Sequence, residues 1–144
     1  MEYRELATNP VNIVLQLVGA KWKLLIVKEL LKKEILRQYG KDPLQNADYG
    51  HIINQKHFDR ICSLIDEGKV VHGGAVNSET LQISPTVMTN VTWEDAVMGE
   101  EIFGPVLPVL TFESIDEVIK TVNSHDRPLA LYLFTSNKKT VRRI

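Results

Sequence analysis

The apolar run Val106-Leu107-Pro108-Val109-Leu110-Thr111-Phe112 is followed at once by Ser114-Ile115-Asp116-Glu117, a Ser-x-x-Glu capping box that starts a helix. That helix turns Ile115, Val118, Ile119 and Val122 to one face, and beyond Arg127-Pro128 the segment Leu129-Ala130-Leu131-Tyr132-Leu133-Phe134 predicts a strand buried on both sides. Two such strands joined by one helix pair in parallel through a right-handed crossover. The expected class is therefore α/β, with a βαβ parallel unit in the last third of the chain. Ser136-Asn137 caps one further short helix.

Upstream the pattern is more helical. Asn9-Pro10 resembles a helix start, Val11, Val14, Leu15 and Val18 form a stripe, and Gly19 breaks it. A second helix carries Leu24, Val27, Leu31 and Ile35 to Tyr39, with Gly40 at its C-terminus, so an N-terminal helical hairpin is expected. After a polar loop at Lys41-Asp42-Pro43, an amphipathic helix with Phe58, Ile61, Leu64 and Ile65 runs up to Gly68. Val70-Val71 is a short strand and Gly73-Gly74 a turn. Leu81, Ile83, Val87 and Val91, set among Thr and Pro, suit extended, edge-like structure.

With 144 residues, 44% of them hydrophobic, one core is the expectation. Seventeen Lys and Arg against eighteen Asp and Glu give a net charge of −1, which provides no whole-chain field for nucleic acid or anionic lipid. The basic residues Lys21, Lys23, Lys28, Lys32, Lys33 and Arg37 are expected to be the solvated face of a helix. No apolar stretch approaches the roughly 18 residues of a membrane helix, and the acidic start, Met1-Glu2-Tyr3-Arg4-Glu5, does not resemble a secretory leader. The single cysteine, Cys62, excludes an internal disulfide and points to a reducing cytoplasm.

Few residues offer chemistry. Cys62 sits in mid-helix among apolar neighbours, a poor setting for a nucleophile. His51, His57, His72 and His125 match no metal-ligand spacing, so no metal is expected. Gly73-Gly74 is too short to cradle a phosphate. The stretch Glu100-Glu101-Ile102-Phe103-Gly104-Pro105-Val106 differs, because two acids and an aromatic lead into a Gly-Pro corner and a strand. A carboxylate there can accept bonds from ribose hydroxyls while Phe103 lies against a flat ring; alternatively the acids cap a loop and Phe103 fills the core.

At these residues the chain resembles the aldehyde dehydrogenases, above all the short, fatty-aldehyde-oxidising class, from about Val27 to Ile144. The resemblance runs through Gln38-Tyr39-Gly40-Lys41-Asp42-Pro43, Asp48-Tyr49-Gly50-His51-Ile52-Ile53, His57-Phe58, Ser84-Pro85-Thr86-Val87, Glu100 to Pro108 and Arg127-Pro128-Leu129-Ala130-Leu131-Tyr132. It implies oxidation of a small-molecule aldehyde with NAD or NADP, Glu101 as the glutamate that holds the nicotinamide ribose and Phe103 as the aromatic at the nicotinamide end. The family's Gly-Gln-x-Cys nucleophile, its Glu-Leu-Gly-Gly-Lys general-base segment and its Rossmann-like domain have no counterpart in the 144 residues. The expectation is thus a late portion of a catalytic domain, inactive alone, which binds dinucleotide very weakly and associates with itself through an exposed sheet edge.

Residues 1–26 are similar to a different family. Asn9-Pro10-Val11 and Gly19-Ala20-Lys21-Trp22 resemble the opening of HxlR-type winged-helix regulators, with Asn9 in place of a cysteine and Ala20 in place of a glycine. The resemblance implies a chimera of two parts, 1–26 and 27–144, and as an alternative function a DNA-binding regulator with a foreign C-terminal part. No recognition helix accompanies it, so no specific nucleic-acid partner is expected.

Overall fold

A computed structural model describes residues 18–19, 21–125 and 130–143, with side chains from Leu24 onward. Strand β1 (Val18–Gly19) precedes helix α1 (Lys21–Tyr39), then come α2 (Gln55–Ser63) and strands β2 (Val70–His72), β3 (Val76–Asn77), β4 (Gln82–Ile83) and β5 (Thr86–Met88). Strands β6 (Val106–Pro108) and β7 (Thr111–Phe112) and helices α3 (Ile115–Asn123) and α4 (Lys138–Val141) complete the order.

The α/β class holds. A three-stranded sheet in the order β2-β5-β6 joins an antiparallel pair to a parallel one, β5 against β6, with Thr86 opposite Val106, Val87 opposite Leu107 and Met88 opposite Pro108. Pro108 lacks a donor, and β6 at the sheet's margin tolerates it. Helix α2 lies over this sheet. Phe58, Ile61 and Leu64 meet Ile83, Met88, Val91, Val97, Ile102, Val106 and Leu110 in one buried cluster. The stripe read from sequence is therefore the face that packs, and the Asn54 side chain accepts the His57 N–H at 2.9 Å to start the helix.

Several expectations are corrected. Thr86–Met88 is no edge strand: β5 is central, all three residues are buried, and pairing on both sides overrides its Thr and Pro surroundings. The run from Val106 to Phe112 is two strands, since β7 leaves the three-stranded sheet and pairs in parallel with β1, Val18 opposite Thr111 and Gly19 opposite Phe112. Val18 and Gly19 are thus extended and do not end a helix of a hairpin. Residues 11–17, with Asn9-Pro10, lie outside the described residues. Helix α2 ends at Ser63 with Leu64 as its cap, well before Gly68, because Asp66 starts a separate 3-10 turn at Glu67–Lys69 by accepting the Gly68 N–H.

The second strand of the expected βαβ unit is also absent from the described residues. Leu131, Leu133 and Phe134 are exposed and Ala130–Thr135 joins no sheet, so the parallel pairing is that of β5 with β6 and of β1 with β7. An apolar run specifies that a segment will be buried where it finds neighbours; it does not supply them. The helix between is as expected. Val118 is buried, Ile115, Ile119 and Val122 are half-buried, and the Ser114 side chain accepts the Glu117 N–H at 3.2 Å. The return bond from Glu117 goes to the Glu113 N–H at 3.0 Å, one residue earlier than in the usual box.

In α1 the predicted stripe of Leu24, Val27, Leu31 and Ile35 is the covered face, while Leu25, Ile26, Leu30 and Leu36 are exposed. Gly40, at φ 81°, stops the helix and returns its N–H to the Leu36 carbonyl. On the outer surface Arg37 and Gln38 hold the Glu34 carboxyl down at about 2. Among the described residues no helix is long and apolar enough to cross a membrane.

Candidate functional site

The segment from Glu100 to Val106 owes its shape to three local facts. Phe103 adopts φ 46°, the left-handed region that a side-chain-bearing residue occupies at a cost. At Gly104 a Cβ would lie 2.8 Å from Ile61 Cδ1, so only glycine lets the chain pass this close to α2. The Pro105 carbonyl then accepts the Thr86 N–H at 2.8 Å, which brings β6 into register.

This corner decides what faces water. Ile102 is buried in the core, whereas its neighbours Glu101 and Phe103 are exposed, Phe103 to 50%. The alternative in which Phe103 fills the core is thereby removed. Among the described residues Glu101 makes no ion pair or side-chain hydrogen bond, and it caps no helix; Glu100 instead pairs with Arg60 at 3.3 Å. An unpaired, solvated carboxylate keeps its acceptor oxygens available. An exposed ring beside it offers an apolar face.

Arg60, on the last turn of α2, is the residue that sequence reasoning missed. Its guanidinium donates to the carbonyls of Glu101 at 3.2 Å and Ile102 at 2.7 Å, besides its pairing with Glu100. Nothing in the local pattern around position 60 points to a partner some forty residues on. The amphipathic spacing only shows that Arg60 lies beside the packing face.

The remaining candidates stay apart from this corner. Cys62 is half-buried, and burial, with Asp59 nearby, pushes its thiol up, the reverse of what an activated nucleophile needs. His72 is held below its usual value by burial and by Lys32. The His125 ring stacks on Trp93 with centroids 4.0 Å apart and shares its Nδ1 with the Thr121 carbonyl. Among the described residues no group of three His, Cys, Asp or Glu could hold a metal. A cleft lined by Trp93, Leu110, Phe112, Val118 and Val122 has about 30 Å³, room for a water and not for a nucleotide. Gly73-Gly74 has a structural use: the Thr86 hydroxyl accepts the Gly74 N–H and the Ser84 hydroxyl the Ala75 N–H, each at 3.0 Å.

Comparison with known proteins bears on the whole stretch. The model of the aldehyde dehydrogenase family matches residues 18–144, a span that includes Gly19, Lys21 and Trp22. The dimeric NADP-preferring aldehyde dehydrogenase of Mus musculus is 45% identical over 118 residues, covering 82% of this chain and 26% of the mouse protein. Among solved structures, the substrate-bound state of Staphylococcus aureus AldH superposes with a TM-score of 0.83 at 38% identity, covering 88% of this chain and 28% of that one. The NAD+ complex of aldehyde dehydrogenase from Bacillus cereus superposes at 0.69 with 31% identity, over 88% of this chain and 27% of that one. The chain thus spans about a quarter of the length of each of these three proteins.

Proposed function

Because the chain belongs to the aldehyde dehydrogenase family, we propose that the corner at Glu100–Val106 forms the nicotinamide-ribose wall of an NAD(P) cleft. Glu101 accepts bonds from the ribose hydroxyls and Phe103 lies at the nicotinamide end. The observation that carries this reading is the exposed Glu101 carboxylate, which has no cation or cap as partner among the described residues and stands beside an exposed ring. A carboxylate kept for structure would be paired, as Glu100 is. These residues fit the ribose end of a dinucleotide, which when bound supplies the hydride acceptor for oxidation of an aldehyde to a carboxylic acid.

Within the same reading the 27–144 part acts as a piece of the catalytic domain and does not turn over by itself. Its one cysteine is Cys62, whose thiol is raised and set in a packed helix. Purified chain with NAD+ or NADP+ and an aldehyde should show no change in absorbance of the reduced cofactor, with or without Cys62→Ser. Turnover that vanishes in the serine variant would make Cys62 the nucleophile and sink this account of the residue. Dinucleotide should bind no tighter than about millimolar, ~4 kcal/mol. In heteronuclear NMR spectra its shifts should cluster at Glu101 and Phe103 and vanish in Glu101→Gln; shifts that survive this substitution would remove Glu101 from the site.

Self-association is the partner this reading adds, and specific nucleic acid is not among its partners at a net charge of −1. The exposed apolar residues Leu131, Leu133 and Phe134, in a segment that joins no sheet among the described residues, support a homo-oligomer, and the single cysteine supports a reducing cytoplasm. Sedimentation should show a species larger than the monomer that Phe134→Asp dissociates. A monomer at all concentrations would refute the oligomer.

A further inference from the structure

The left-handed backbone at Phe103 is held from α2 by two consecutive residues acting on either side of it. Before it, one guanidinium takes two successive carbonyls, those of Glu101 and Ile102, and also the Glu100 carboxylate. After it, Gly104 fits against the fully buried Ile61 with no space for a Cβ. A strained φ persists only where its surroundings over-determine it, and here the over-determining polar contact is Arg60. Its side chain is only 24% exposed, so its hydrogen bonds are partly shielded from water. We propose that Arg60 is a positioning residue: by clamping the carbonyls of Glu101 and Ile102 it fixes the strained turn at Phe103, and so sets where the Glu101 carboxylate and the Phe103 ring stand.

The geometry requires arginine in particular. The planar fork reaches two acceptors at once, whereas a lysine ammonium is a point charge on a flexible stem that retains the Glu100 attraction without fixing both carbonyls. The role of Glu100 is correspondingly minor, since its ion pair lies at the open side of the guanidinium with the carboxylate 46% exposed. The significance of the clamp for dinucleotide binding rests on the reading of Glu101 and Phe103 given above, while its action on the backbone does not.

NMR of the full chain separates the two. The Cα shift and the intraresidue amide-to-Hα contact of Phe103 report its left-handed backbone, and titration with NAD+ reports the site. In Arg60→Met the left-handed signature of Phe103 should be lost, together with the NAD+-induced shifts at Glu101 and Phe103, while Glu100→Gln retains both. Arg60→Lys should also lose the signature, and this variant carries the test if Arg60→Met fails to fold. Retention of the signature in a folded Arg60 variant, or its loss in Glu100→Gln, would overturn the clamp. Native chain that shows no NAD+-induced shifts, with the signature still lost in the Arg60 variants, would overturn the cofactor reading and leave the clamp standing.

Discussion

Gly73→Ala should destabilise the fold by about 3 kcal/mol or more, the largest effect expected of any glycine substitution from Gly40 to Gly104. Gly73 sits at φ 80°, and a Cβ there would lie 2.1 Å from the Pro85 carbonyl oxygen, 2.8 Å from its carbon and 2.9 Å from Thr86 Cα. All three are backbone atoms next to a proline, so no rotamer change relieves the overlap. Moving the loop away would pull the Gly74 N–H off the Thr86 hydroxyl and disturb β5 at the centre of the sheet. Gly40→Ala is the matched control. It has the same sign of φ, 81°, with nothing within 4 Å of the added carbon, so it should cost only about 1 kcal/mol. Urea unfolding monitored through the tryptophans compares the two; equal midpoints would mean that the backbone clash at Gly73 is relieved in a way the packing does not show.

Ile61→Ala should cost about 3–4 kcal/mol, since a fully buried side chain at the centre of the cluster is removed and the rigid sheet closes only part of the cavity. Ile61→Val should cost about 1 kcal/mol. The contact with Gly104 adds a sharper expectation. Gly104→Ala alone forces its Cβ onto Ile61, but in an Ile61→Ala background that obstruction is gone, so the two substitutions together should cost less than their sum. Thermal unfolding of the four proteins gives the coupling directly. Strict additivity would show that Gly104 is required for some reason other than its approach to α2.

What could be read from the sequence depended on how local the determining interaction was. Helix α2 was legible because Phe58, Ile61 and Leu64 recur at helical spacing, and α3 because Ser114 caps it three residues before Glu117. Glu101 and Phe103 were singled out by composition around a Gly-Pro corner. Whether Phe103 fills the core could not be seen there: its exposure follows from its positive φ, and that follows from contacts with α2. Arg60 was invisible for the same reason, its acceptors being backbone carbonyls that carry no residue-type signal.

Strand order shows the same division. The Thr and Pro around Val87 and the apolar run from Val106 marked Thr86–Met88 and Val106–Pro108 as extended, but the parallel pairing between them is non-local, and propensity does not rank one partner over another. The apolar run from Leu129 to Phe134 predicted a buried strand, yet Leu131, Leu133 and Phe134 are exposed and the described part of the run joins no sheet. The sequence by itself determined the α/β class, the packing faces of the helices and the residues at the candidate corner, because spacing, caps and turn residues act within a few positions. Only the tertiary structure decided that β5 is central, that the run from Val106 divides between two sheets and that Arg60 grips the turn at Phe103. Those outcomes depend on hydrogen bonds and close packing between segments tens of residues apart, which no local pattern encodes.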